Sequence, residues 1–327
     1  MRCPRCNGLI DRGDRFCPRC GEPLAGGLSA RDTIANPFMI LKTRWVIPWA
    51  VLGFILAVVV LVIASVDSDD QPTDPALFLI VLNVLFGVVA VWMFRSFRSK
   101  GIDVRRLIGR LPQNYNWFPV IGILLVNMVF SLGSVIVVGA LIASASEPVA
   151  RSLETEPIIP NTPNPALLIL SITTVAVLAP VFEELFFRGV LINRWAVKWR
   201  LDIAIVASAL LFGILHLIAI GGAFMFGTIA ALLYIRTRTL LVPTAMHVVN
   251  NSLVTLAVLA RPTENGQTTA STASAVEMPT MILGLVLLAL TAPILVWYLR
   301  KNWPRRDEPP PYEASGAEPS PVQAASL

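Results

Sequence analysis

The chain has 327 residues, 55% of them hydrophobic and 14% charged, with a formal net charge of +5. That balance excludes an ordinary soluble domain or a disordered acidic chain and points to a polytopic membrane protein. The four cysteines all fall within the first 20 residues, so none is left for a disulfide elsewhere.

The chain opens on a polar, arginine-rich segment rather than a short charged region followed by an apolar core, so no cleavable signal sequence is expected. Cys3-Pro-Arg-Cys6 and Cys17-Pro-Arg-Cys20 supply four thiolates at the spacing of two zinc knuckles. Residues 1–24 therefore read as a small zinc ribbon holding a structural zinc, without which so little apolar surface would not fold. A redox pair is the weaker reading, because neither motif lies in a βαβ context. Reduced cysteines put this end in the cytosol. Its arginines suit contact with lipid headgroups, nucleic acid or a protein, and a solvated basic surface is favoured over a specific nucleic-acid site.

Residues 25–44 read as a linker and 45–300 as a transmembrane domain. About 20 helical residues cross ~30 Å of hydrocarbon. Apolar runs of suitable character lie at about 45–66, 76–94, 118–143, 166–187, 203–219, 223–235, 240–260 and 279–299, giving an all-α protein of about eight spans. The two runs between 203 and 235 share too few residues for two full crossings, and water or neighbouring helices must cover their ends. Apart from Arg151, Arg188 and Arg261, every lysine and arginine falls in segments that this arrangement puts on one side, together with both termini. The positive-inside rule makes that side cytosolic. The loop from Arg95 to Trp117 suits an interfacial helix against anionic lipids, although orientation alone accounts for its charges equally well. The tail, 301–327, is rich in Pro, Ala, Ser and Glu and is expected to be disordered. Its Pro309-Pro310-Pro311-Tyr312 resembles a WW-type ligand.

Within the fourth run, Glu183, Glu184 and Arg188 place three ionisable groups where a charge is costly, which makes each a functional candidate. Helical spacing puts Glu184 and Arg188 on one face, leaving Glu183 unpaired in its own helix. The only two histidines, His216 and His247, lie in later apolar runs, His216 one turn after Phe212 and His247 one turn before Asn251. These stretches are expected to converge on one site.

The ordered set Glu183-Glu184-x-x-x-Arg188, Phe212-x-x-x-His216 and His247-x-x-x-Asn251 resembles the signature of the CPBP intramembrane proteases, the group of CAAX-processing, bacteriocin-processing and Abi-type proteins. The resemblance covers roughly 110–260 and implies peptide-bond hydrolysis in a bacterial plasma membrane. No Gly-x-Ser-x-Gly elbow is present and the cysteines are assigned to zinc, so activated water is the expected nucleophile. Glu183 would take its proton, His216 would orient it, and His247 with Asn251 would hold the developing oxyanion. Glu184 and Arg188 would brace the motif helix, and Phe212 would pack the imidazole. A divalent metal held by Glu183, His216 and His247 is an open alternative for the same residues. The expected substrate is a membrane-associated CAAX-like or leader peptide. Two other readings compete: a non-catalytic scaffold or immunity-like protein that recruits a partner through the ribbon, and a proton-coupled transporter.

Overall fold

The computed structural model describes residues 6, 20, 36–66, 75–146, 164–260, 263–264, 267–268, 278–305 and 308–314. Among them the chain is helical, save for a two-residue antiparallel pairing of Thr263–Glu264 with Gln267–Thr268. In chain order the helices are α1 (Val46–Val66), α2 (Pro75–Lys100), the short α3 (Val104–Ile108), α4 (Phe118–Ala145), α5 (Pro165–Lys198), α6 (Leu201–Leu215), α7 (Ile220–Thr237), α8 (Leu241–Leu259), α9 (Met278–Asn302) and the single turn α10 (Pro311–Ala314).

Seven of these are long and apolar enough to cross a membrane, namely α1, α2, α4, α5, α7, α8 and α9. The eighth expected span, 203–219, is shorter: α6 has 15 residues and ends at His216. At about 1.5 Å per residue it falls short of the hydrocarbon thickness. A turn at Leu217–Ala219 then leads into α7, with Leu217 in the left-handed region at φ 47°.

The centre of the bundle is α7. Two-thirds of its apolar window (67%) is buried against 11% for α1, so α7 is the post around which the others pack while α1 faces outward. Large apolar side chains cover the outside, among them Phe54, Phe118, Leu132 and Trp297. In water such a surface would be a liability; in a bilayer it is the solvated face.

The helices α4 and α7 run antiparallel. Val138 and Ile142 line one groove with Leu217, Ile218 and Ile220, and further along a side chain on Gly222 would strike Ser131. Only glycine permits that approach, and the contact fixes the height of the turn that carries His216.

Parts of the expected linker and tail are packed against the bundle where they are described. In the expected linker, Phe38 and Leu41 are buried, and Pro37–Met39 forms a turn whose Asn36 side chain accepts from the Phe38 N–H. In the expected disordered tail, residues 308–314 are placed, with Pro311, Tyr312 and Ala314 buried. Their proline- and glutamate-rich composition suggests disorder, but one aromatic with several hydrogen bonds overrides it. Most of the four-cysteine segment and residues 315–327 lie outside the described residues; Cys6 and Cys20 are each half-buried.

Candidate active site

The fifth helix is not uniformly α-helical. Thr174–Leu178 and Leu185–Ile192 are wound as π-helix, on either side of an α-helical segment, Ala179–Glu184, that carries both glutamates. Such widened turns re-aim the side chains that follow and are frequent at functional sites.

Pro180 explains the first of them. The Ala179 N–H bonds to the Thr174 carbonyl, five residues back. In that register the carbonyl of Val175 needs the N–H of residue 180, which proline lacks. Asn251 of α8 supplies the donor instead, its Nδ2 lying 2.9 Å from the Val175 oxygen. Asn83 of α2 reaches the same segment, with Nδ2 3.1 Å from Thr174 Oγ1. In the second widened segment the carbonyls of Phe187 and Gly189 accept from Ser208 and Asn193. The irregular backbone is therefore satisfied by side chains, as a non-aqueous setting requires.

Asn251→Leu is expected to destabilise the fold by about 1–3 kcal/mol, the cost of leaving one buried acceptor without a donor. Adding Pro180→Ala restores an N–H at the position that Val175 needs. The double variant should regain most of the loss in thermal unfolding of the detergent-solubilised protein. Additive losses would contradict this account of the widened turn.

The glutamates face different partners. Glu184 is fully buried, and its Oε1 accepts from Arg188 Nη1 at 2.8 Å. The same oxygen lies 2.8 Å from His247 Nδ1. An ionised carboxylate has no proton to give, so His247 carries one on Nδ1 and donates it. That leaves the other ring nitrogen, Nε2, directed at Glu183, whose Oε2 is 3.7 Å away. The distance is too long for a direct hydrogen bond and is of the size that a bridging molecule spans. Glu183 keeps 19% side-chain exposure whereas Glu184 keeps none, so the carboxylates differ in access as well as in pairing.

Arg188 is enclosed on all sides. Its Nη2 donates to the Gly227 carbonyl at 3.1 Å, and its guanidinium lies 4.9 Å from the Phe212 ring centroid. A side chain at Gly227 would crowd Ala209 at 3.1 Å and the guanidinium at 3.4 Å. A buried cation in this position needs its carboxylate partner.

Phe212 joins the two histidines. Its ring is 4.3 Å from that of His216 and 5.8 Å from that of His247, with Phe226 4.7 Å from His247 on another side. His216 Nδ1 is 2.7 Å from the Phe212 carbonyl, and only an N–H can satisfy that acceptor, so Nε2 is the nitrogen left for other work. His216 is exposed and His247 buried. The structure thus brings Glu183, Glu184, Arg188, Phe212 and His247 into one connected cluster, and places His216 at its rim across Phe212. Asn251 touches the cluster through the Val175 backbone. No group of three or more His, Cys, Asp or Glu side chains among the described residues stands in an arrangement that could hold a metal ion.

One polar residue near this cluster was not singled out in the sequence. Asn127 of α4 is 3% exposed, and its Oδ1 has no hydrogen-bond partner among the described residues. Continuing the α4–α7 register one turn beyond Ser131 and Gly222 brings it level with Phe226, hence with His247. The signal was present: it is the only asparagine in the run 118–143.

A membrane-type helix bundle enclosing a carboxylate–imidazole site is the class that fold and geometry define. Residues 165–253 match the family model described as Rce1-like, type II CAAX prenyl endopeptidase Rce1-like. That segment contains every residue of the cluster from Glu183 to Asn251. An uncharacterized 24.3 kDa protein of Escherichia coli is similar, with 29% identity over 120 residues, or 35% of this chain and 52% of the relative. The chain therefore spans about half the length of the curated relative that it matches. No solved structure matches this chain.

Proposed function

We propose that the chain is an intramembrane endopeptidase that hydrolyses a peptide bond of a membrane-associated substrate, CAAX-like or leader-peptide in kind, with water activated by Glu183. The observation that carries this reading is the fixed His247 ring: Glu184 holds Nδ1 at 2.8 Å, and Nε2 faces the accessible carboxylate of Glu183. The Rce1-like match over 165–253 supports the same chemistry.

Water between Glu183 and the imidazoles would lose a proton to the Glu183 carboxylate as its oxygen bonds to the scissile carbonyl carbon. His247, oriented by Glu184, would have to be an imidazolium to donate from Nε2 to the carbonyl oxygen as negative charge develops there. His216 would hold the water through Nε2. When the C–N bond breaks, the proton on Glu183 would pass to the departing amine. Asn251 would keep the widened turn in shape through Val175, with its second amide proton directed to the oxyanion.

The basic end of the bundle carries Arg98, Lys100, Arg106, Arg236, Arg238 and Lys301, and by the positive-inside rule it would face the cytosol with both termini. The four N-terminal cysteines would hold a structural zinc and present a surface to a cytosolic partner. Metal analysis of the purified chain should then find about one zinc per molecule, lost in Cys6→Ser without loss of the helical spectrum. A metal-free wild-type protein would remove the ribbon.

Substrate trapping tests the proposal as a whole. Reconstituted Glu183→Gln protein, exposed to membrane peptides and analysed by mass spectrometry, is expected to retain peptides that the wild type cuts at a single bond. A wild type that cuts none of the retained peptides would overturn it.

A further inference from the structure

Residues 308–314 return to the basic end of the bundle and are held by most of the elements there. The Tyr312 backbone N–H donates to Asn193 Oδ1 at 3.0 Å, and the tyrosine hydroxyl accepts from the Asp103 N–H at 3.0 Å. The Tyr312 carbonyl accepts from Arg106 Nε at 2.9 Å, and the Glu313 carbonyl from Arg106 Nη2 at 3.2 Å. Arg238 donates to the Ala314 carbonyl at 3.3 Å. The ring itself lies edge-on to Phe38, with centroids 5.1 Å apart, and under the Arg106 guanidinium at 4.6 Å. Both contacts add to what burial of the ring alone provides.

Two features separate this from incidental packing. The recognition is mostly of backbone, with the tyrosine ring as the buried anchor and the Glu313 carboxylate accepting from Asn36 Nδ2 at 3.3 Å, which is how short peptides are bound. The central receptor residue also belongs to the motif helix: Asn193 follows the second widened segment directly, and its Nδ2 donates to the Gly189 carbonyl at 2.9 Å and to the Tyr234 hydroxyl at 3.0 Å. Asn193 thus divides its amide between the tail and the turn that begins one residue after Glu184.

We propose that the basic end of the bundle contains a binding site for a short tyrosyl peptide, formed by Phe38, Asp103, Arg106, Asn193 and Arg238, and that the chain fills it with its own residues 308–314. Filled, the site latches the end of the motif helix to α3 and α7. Tyr312 is then a positioning residue, acting on Arg188 and Glu184 through Asn193 and through α3, which packs against Gly189. A WW-type partner would find this tyrosine buried, at 4% exposure, so the Pro-Pro-Pro-Tyr segment serves the chain that carries it.

The test uses full-length protein, in which Tyr312→Ala releases the tail. A fluorescent peptide with the sequence of residues 307–316 should bind the Tyr312→Ala protein and not the wild type, whose own tail occupies the site. Hydrogen exchange over 185–198 and 102–108 should rise by about tenfold in the variant, as expected when several hydrogen bonds of a local unit open. The added peptide should reverse it, and the same peptide with alanine for tyrosine should not. Tyr312→Phe keeps the ring and removes the hydroxyl that accepts from Asp103, so it guards against a variant that fails to fold; its exchange should rise at 102–104 and less over 185–198 than in Tyr312→Ala. Wild-type exchange in both variants, or equal peptide binding by wild type and Tyr312→Ala, would overturn the latch. These readouts are binding and exchange, so they stand whether or not the chain cleaves peptides.

Discussion

Glu183→Gln is expected to lower peptide-bond cleavage by about 100- to 10,000-fold, the usual worth of a positioned general base, while leaving substrate binding nearly unchanged. The amide keeps the size of the carboxylate and cannot accept a proton from water at neutral pH. Its neighbour behaves differently because it is placed differently. Glu184 gives one oxygen to both Arg188 and His247 and is fully buried, so Glu184→Gln should weaken the fold and misplace the imidazole together. Glu183 lies 3.7 Å from His247 Nε2, beyond a direct hydrogen bond, and retains access, so its replacement should spare the fold. The check is steady-state kinetics beside thermal unfolding for each variant. Equal losses of stability in the two variants would show that they are not divided into a chemical and a structural carboxylate.

The second large effect lies in the buried ion pair. Arg188→Leu should destabilise the protein by about 3–5 kcal/mol, because it strands the fully buried Glu184 carboxylate without its cation. Most of that cost arises from the uncompensated charge rather than from the lost attraction. Replacing both partners, as Glu184→Leu with Arg188→Leu, should therefore recover a large part of the stability that the single variant loses. Cleavage should stay low in the double variant, since His247 Nδ1 would no longer have the acceptor that orients it. Recovery of stability without recovery of activity is the pattern that assigns Glu184 to both tasks. A double variant less stable than Arg188→Leu would contradict it.

Much of the fold was legible in the sequence because a bilayer imposes it. All eight apolar runs are helices, and the short one is α6, in the stretch where two spans had too few residues to share. The three motifs were likewise legible from cost alone: a carboxylate or imidazole in an apolar run is rare enough to name itself. What the sequence withheld depends on backbone register and on other helices. The widened turns around Glu183 and Glu184 leave no trace in an apolar run without periodicity, although Pro180 marks the place where one carbonyl must look elsewhere. Helical spacing alone pairs Glu184 with Arg188; the second partner of Glu184, His247, becomes visible only when α8 is packed against α5. Tyr312 was hidden by its surroundings, since composition averages over a segment and a single anchored ring does not change the average.

In the proposed mechanism Glu183 acts on water and does not itself attack the peptide. Single-turnover cleavage in oxygen-18 water, with enzyme in excess over a peptide identified by trapping, separates the two in one mass-spectrometric measurement. Label is expected in the new carboxylate of the product and not in the peptide that contains Glu183. Label in Glu183, or a wild-type protein that cleaves nothing it traps, would contradict it.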